Sequence, residues 1–242
     1  MPPDHADPTA TLMRWFLTLV IALAAGFAGA ALWDATGLGG GSTRDYLLAN
    51  PEVLPQAMEE LQRREQVARI DPLRRELETP FPGAVLGNPR GTVTLVEFSD
   101  YACSFCRQSL ADVDALIAAN PDLKVVMREY PILTAGSVDA ARMALAAAQQ
   151  GRYAAFHQAM FRFGPPSAEA IEAAANSAGV DLVKARAAIA TGAFDTQLQA
   201  NASLASALGV SGTPGWVVGD QLLNGALGRQ AIGEAIEEAR RS

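Results

Sequence analysis

One stretch limits the folds open to this 242-residue chain more than any other: TVTLVEFS, residues 92–99. It is rich in β-branched and aromatic residues, and apart from Glu97 both of its alternating faces are largely apolar. A strand of that kind must be covered on both sides, as a central strand is when helices flank its sheet. The next residues, DYACSFC, hold both cysteines of the chain, Cys103 and Cys106. A helical pattern then runs from about Ser104 to Ala119, where Asn120-Pro121 stops it. LKVVMREYPI, residues 123–132, reads as a second strand. Residues 137–208 read as several Ala-rich helices, punctuated by Gly151, Gly164-Pro165-Pro166, Gly179 and Gly192. Strand character returns at Trp216–Val218, followed by a Gly219-Asp220 turn, a strand near Leu222-Leu223 and an amphipathic terminal helix. This order predicts an α/β domain over residues 80–242 with an inserted helical subdomain at about 137–208.

Residues 1–36 are a separate matter. Trp15 to Trp33 carries no charge over 19 residues, between Arg14 and Asp34. That is about long enough to span a bilayer's hydrocarbon core, yet Ala28-Gly29-Ala30 is a small-x-small site that a signal peptidase could cut. Either way the rest of the chain is sent across a membrane, with Arg14 favouring an N-terminus that stays inside. The reading is an anchor over residues 15–33, or a signal released near Ala30, and a periplasmic domain. Residues 37–79 read as a linker, GLGGGSTR, and a helical arm. In the arm Asn50 suits an N-cap, Pro51 the first helical position, and Asp71-Pro72 repeats the signal. Leu54, Met58 and Leu61 form a short apolar stripe, suited to packing on the chain's own domain or to self-association.

Composition removes two classes. The net charge is −7 and there is no basic block, so the chain lacks the electrostatic footprint of a nucleic-acid binder. Two cysteines do not make a disulfide-stapled scaffold.

The pair Cys-Ser-Phe-Cys therefore has to be read as chemistry. Cys103 falls where the strand turns into the helix. Unpaired backbone N–H groups and the positive end of the helix dipole favour a thiolate there, and the thiolate is the attacking form. Cys106, one turn inward, is close enough to close a disulfide and should be the more buried. Three alternatives compete. A closed zinc site wants about four ligands, and only His5 and His157 are available to join the pair. Copper(I) could be held by two soft thiolates. A structural disulfide over so small a loop adds little. His157, within YAAFHQAMF, reads as a packed helix residue.

VEFSDYACSFC, followed about a hundred residues later by GVSGTPGWVV, resembles the DsbA-like thiol–disulfide oxidoreductases of bacterial envelopes. REYPIL and the Ala-rich helices after it resemble the branch with the ScsC-like and Com1-like proteins. The resemblance covers roughly residues 80–240. It implies a thioredoxin-like fold with a helical insertion, no cofactor beyond a redox-active Cys103–Cys106 disulfide, unfolded or misoxidised secreted proteins as clients, and a membrane redox partner. Cys103 matches the nucleophile and Cys106 the resolving cysteine. Pro214 matches the family's cis-proline, whose bond would present the Thr213 backbone to a substrate peptide. Glu97 matches a buried acid that accepts the Cys106 proton through water; a glutamate at the rim is the plainer reading. Ser104 and Phe105 depart from the Pro-His of the strongly oxidising members. Arg107 partly compensates for the missing histidine, and Asp100 works against the thiolate. With Thr213 before Pro214, this implies a less oxidising disulfide and an isomerase or reductase. The helical arm is similar to the oligomerising arms of some isomerase-like members.

Overall fold

The computed structural model describes residues 8–35 and 41–241. Two compact units divide at Leu61–Gln62.

In the first unit, α1 (Pro8–Ala35) is one continuous helix. Its stretch Leu12–Trp33 is 22 residues long with mean hydropathy 2.1, roughly 33 Å at the helical rise and so long enough to cross a membrane. The side chains described along it are exposed. The one hydroxyl within Leu12–Trp33, Thr18 Oγ1, donates back to the Arg14 carbonyl at 2.8 Å, which satisfies it within the helix. Next come α2 (Gly41–Ala49) and α3 (Val53–Ile70), which runs on into the second unit. Two expectations shift here. Residues 37–40 of the linker belong to the undescribed stretch, and 41–44 are helical. Asn50 and Pro51 lie in the break between α2 and α3, with the Asn50 side chain donating to the Tyr46 carbonyl at 2.9 Å, so the second helix starts at Val53. Leu54, Met58 and Leu61 are exposed.

The second unit holds a five-stranded sheet. A 3-10 turn (Asp71–Leu73) and α4 (Arg74–Glu78) lead to β1 (Val85–Gly87), β2 (Val93–Ser99), α5 (Ser104–Ala119) and β3 (Leu123–Glu129). Five helices follow: α6 (Ala135–Gln149), α7 (Tyr153–Phe163), α8 (Ala168–Ser177), α9 (Leu182–Ala190) and α10 (Ala193–Leu208). The chain ends with β4 (Gly215–Val218), β5 (Gln221–Asn224) and α11 (Gly228–Arg241). The strand order is β1-β3-β2-β4-β5. Only β2 and β3 are parallel, joined by the α5 crossover; the other pairs are antiparallel. This is a thioredoxin-like fold with its helices inserted after β3. The short β1 was not foreseen from sequence.

The predicted central strand is β2, and its alternation builds the two cores. Leu95 faces α5, α11 and the inserted helices together with Val125, Met127 and Trp216. Val96 and Phe98 face Ile70, Leu77, Leu204 and Leu208 on the other side. Three of the five inserted helices start on side-chain caps: Thr134, Ser167 and Asp181 accept N–H groups of Ser137, Ala170, and Val183 and Lys184. Asp71 does not cap; its carboxylate takes a guanidinium N–H of Arg74 at 2.8 Å.

The expected boundary at 79/80 is not where compactness changes. Ile70 and Leu77 are each 1% exposed beneath the sheet. Arg128, on the same face of β3, donates to the carbonyls of Glu76, Leu77 and Thr79. The second unit therefore begins at Gln62, and Ile70, Leu73 and Leu77 belong to its second core.

Candidate active site: a paired-cysteine centre at the start of α5

The motif is set by a tight turn at the end of β2. The Cys103 N–H donates to the Asp100 carbonyl at 3.0 Å, and Cys103 keeps extended dihedrals (φ −78°, ψ 119°) as N-cap of α5. Its Sγ accepts the Cys106 N–H at 3.4 Å, so the sulfur takes one of the helix's unpaired donors. On its other side it donates to the Thr213 carbonyl at 3.2 Å. The Thr213–Pro214 bond is cis and leads directly into β4. The structure thus brings Cys103, Cys106, Thr213 and Pro214 together.

Both cysteines are free thiols here. Cys103 is 6% exposed and Cys106 1%, the order expected for an attacking and a resolving sulfur. Burial and the nearby charge of Glu97 push the Cys106 thiol well above its ordinary range. Glu97 itself is 3% exposed, in the interior and not at the rim, and burial pushes its carboxyl up to about 8. Phe105 is exposed and has no donor to offer the sulfur. Arg107 is exposed as well. Asp100 differs from expectation. It is buried, and its carboxylate accepts N–H groups of Ala102 at 2.7 Å, Ile132 at 2.8 Å and Leu133 at 2.9 Å. Three donors balance its charge, so it acts as a clamp between the motif and the loop after β3.

Sequence reasoning missed a second buried acid. Glu129 ends β3 opposite Ser99 in the parallel ladder. Its Oε1 accepts the Tyr153 hydroxyl at 2.7 Å and the Tyr101 hydroxyl at 3.2 Å. Tyr101 OH also lies 3.1 Å from His157 Nδ1. Burial pushes Glu129 up to about 8 and His157 down to about 4. His157 is packed inside the helical subdomain, as expected. The overlooked signal was an acid on the apolar face of a strand, where it follows Leu123, Val125 and Met127 at alternate positions.

A sheet with an inserted helical layer and a cysteine pair at the first helix after the central strand defines a thioredoxin-fold redox protein. The chain belongs to the DSBA-like thioredoxin family, whose model matches residues 94–237. Residues 43–68 match the copper resistance protein ScsC N-terminal domain. A thioredoxin-like oxidoreductase from Silicibacter pomeroyi DSS-3 is 40% identical, with TM-score 0.63, over 65% of this chain and 92% of that one. The thiol-disulfide exchange protein alpha-DsbA2 from Wolbachia pipientis is 26% identical, with TM-score 0.67, over 74% and 97%. BcfH from Salmonella enterica Typhimurium is 25% identical, with TM-score 0.63, over 88% and 99%. A 72-residue stretch is 40% identical to Na(+)/H(+) antiporter NhaA 1 of Mycolicibacterium gilvum, of whose length it covers 12%.

Proposed function

We propose that the chain is an envelope thiol–disulfide exchange enzyme that reduces or isomerises disulfides of secreted proteins, using Cys103 as nucleophile and Cys106 as resolving thiol. The observation that carries this reading is the placement of the Cys103 sulfur. It caps α5, accepting the Cys106 N–H, and faces the Thr213 carbonyl, while Cys106 lies protected beneath it.

In the reductive direction the Cys103 thiolate attacks a client disulfide, forming an S–S bond to one client sulfur and releasing the other as thiolate. Cys106 then loses its proton and attacks Cys103 Sγ, releasing the second client thiol and closing the Cys103–Cys106 disulfide. A membrane reductase of dithiol chemistry would return the pair to thiols. Phe105, Ile132 and Leu133 give the mouth of the site exposed apolar side chains suited to unfolded client segments. The cis Thr213–Pro214 loop offers backbone for strand-like pairing with an extended peptide.

The lean towards reduction rests on Phe105, which cannot donate to a thiolate, and on Thr213. The test is the reduction potential of the pair, measured on the full chain in detergent by equilibration with glutathione and alkylation of free thiols. The expected value lies nearer thioredoxin, at about −270 mV, than the strongly oxidising DsbA enzymes, at about −120 mV. A value at the oxidising end would make the protein a disulfide donor.

The α1 segment would anchor the enzyme in the inner membrane, or serve as its export signal, with the catalytic domain in the periplasm. The exposed Leu54, Met58 and Leu61 on α3 suit self-association of the arm, bringing several catalytic domains to one client. A second reading, copper(I) held by the reduced pair, draws on the ScsC-type match at residues 43–68 and on the softness of two thiolates. It predicts stoichiometric copper(I) binding lost in Cys103→Ser.

A further inference from the structure

The thiol-exchange reading leaves one step without a carrier. Cys106 must lose a proton inside the buried core before it can attack. Water was the carrier expected from sequence, but a residue of the chain occupies a better place. Ser99 is the last residue of β2, two positions after Glu97, so both side chains leave the strand on the same face. That face is the one α5 covers. The Asp100–Cys103 turn folds the first turn of α5 back over this strand end, which puts Cys106 above it. The Ser99 backbone is fixed by the ladder to Glu129 and by the Tyr130 N–H, which donates to the Ser99 carbonyl at 2.8 Å. Its hydroxyl is buried and makes no hydrogen bond of full geometry, with the Glu97 carboxyl and the Cys106 thiol its polar neighbours.

A buried hydroxyl without a hydrogen bond of full geometry is costly and calls for an explanation. The groups around it are otherwise engaged. The Asp100 carboxylate is held by three backbone N–H groups. Glu129 accepts from Tyr101 and Tyr153, and Tyr101 also meets His157. Arg128, on the opposite face of β3, donates to backbone carbonyls and to Asn201. Cys103 is turned to Thr213. What remains near Ser99 Oγ is the Glu97 carboxyl and the Cys106 thiol, and its hydroxyl favours the ionised form of each. A hydroxyl can turn between two such partners, because it both donates and accepts.

We propose that Ser99 is the proton relay of the resolving step, its hydroxyl carrying the proton from Cys106 Sγ to the Glu97 carboxylate. Cys106 Sγ–H gives its proton to Ser99 Oγ as Ser99 gives its own to Glu97. The serine ends unchanged, Glu97 ends neutral, and Cys106 ends as the thiolate that attacks Cys103 Sγ. The closed disulfide forms as the client thiolate departs. In the oxidising direction the same path returns the proton.

This inference rests on the exchange reading, and the experiment separates the two. The reduced full chain in detergent is mixed with oxidised glutathione, quenched in acid at intervals and weighed by mass spectrometry. This resolves formation of the Cys103–glutathione mixed disulfide from its resolution by Cys106. Ser99→Ala should leave the first step unchanged and slow resolution about tenfold, the low end of what a positioned proton carrier contributes. The rate of resolution in the parent protein should rise with pH through the Glu97 titration, and Ser99→Ala should lose that rise. Ser99→Thr and Ser99→Val form a second comparison at equal size: threonine should keep fast resolution, valine should not. A role in packing alone would move the two together and leave the pH profile in place. Parent-like resolution and pH profile in both Ser99→Ala and Ser99→Val would overturn the relay and leave the exchange reading intact. If the parent forms no mixed disulfide and no closed pair, the exchange reading itself falls, and the relay falls with it.

Discussion

Glu97 and Glu129 hold the centre's buried charge on adjacent strands, and each is raised to about 8 by burial. Their folded values lie above the unfolded ones, so the folded state binds more protons between about pH 4.5 and 8. Stability contributed by these groups is full at the acid end of that window and is lost as pH rises. His157 works oppositely, since its folded value is lowered to about 4 and stability is lost as pH falls from about 6.5 towards it. The clean window is therefore about pH 6.5 to 8, where only the acids act. Glu97→Gln should flatten the fall in melting temperature across this window in the reduced protein; an unchanged slope would contradict the burial argument. Asp100 has a different role. Asp100→Ala strands three N–H groups, at about 1–3 kcal/mol for each that finds no water. It should lower the melting temperature and slow exchange, whereas Asp100→Asn, keeping acceptors, should lose less.

At the scale of elements, the sequence was most legible where one face had one job. The apolar alternation of β2 and the stop at Asn120-Pro121 sit where local chemistry decides. The cysteine pair was legible because it follows a buried strand and opens a helix. Features set by distant partners were not. Three-residue β1 exists because it pairs with Val125 and Val126, far along the chain. The meeting of Glu129 with Tyr101, Tyr153 and His157 depends on how α7 packs, which no local pattern encodes. Asp100 reads in the sequence as a charge near Cys103, but two of its backbone donors, Ile132 and Leu133, come from a distant loop. The end of α3 and α4 read as a helical arm that packs on its own domain or self-associates, and Ile70 and Leu77 take the first course by completing the second core. A chain beginning at Gln62 should thus fold with near-parent stability. One beginning at residue 80 should be severely destabilised, since losing even one such side chain costs about 2–5 kcal/mol. Comparable denaturant midpoints for the two chains would refute that boundary.

At the scale of the molecule, a membrane-length helix, an arm with exposed apolar residues and a redox domain follow one another in the chain. If the arm associates copies, replacing Leu54, Met58 and Leu61 together with lysine should reduce the mass seen by light scattering. Exchange on a small disulfide such as oxidised glutathione should persist, because the cysteine pair is complete within one chain. Isomerisation of a misoxidised protein client should fall more than that simple exchange. Equal mass before and after the substitutions would remove the arm from the account.

The central claim is that Cys103 attacks and Cys106 resolves, and covalent trapping tests it most directly. The Cys106→Ala and Cys103→Ala variants of the full chain are each incubated with a disulfide-bonded protein client, quenched by alkylation and run without reductant. Cys106→Ala should accumulate a mixed disulfide that reductant releases, and Cys103→Ala should accumulate none. Complexes through Cys106 alone would reverse the roles, and a folded Cys106→Ala protein that traps no client would contradict the mechanism.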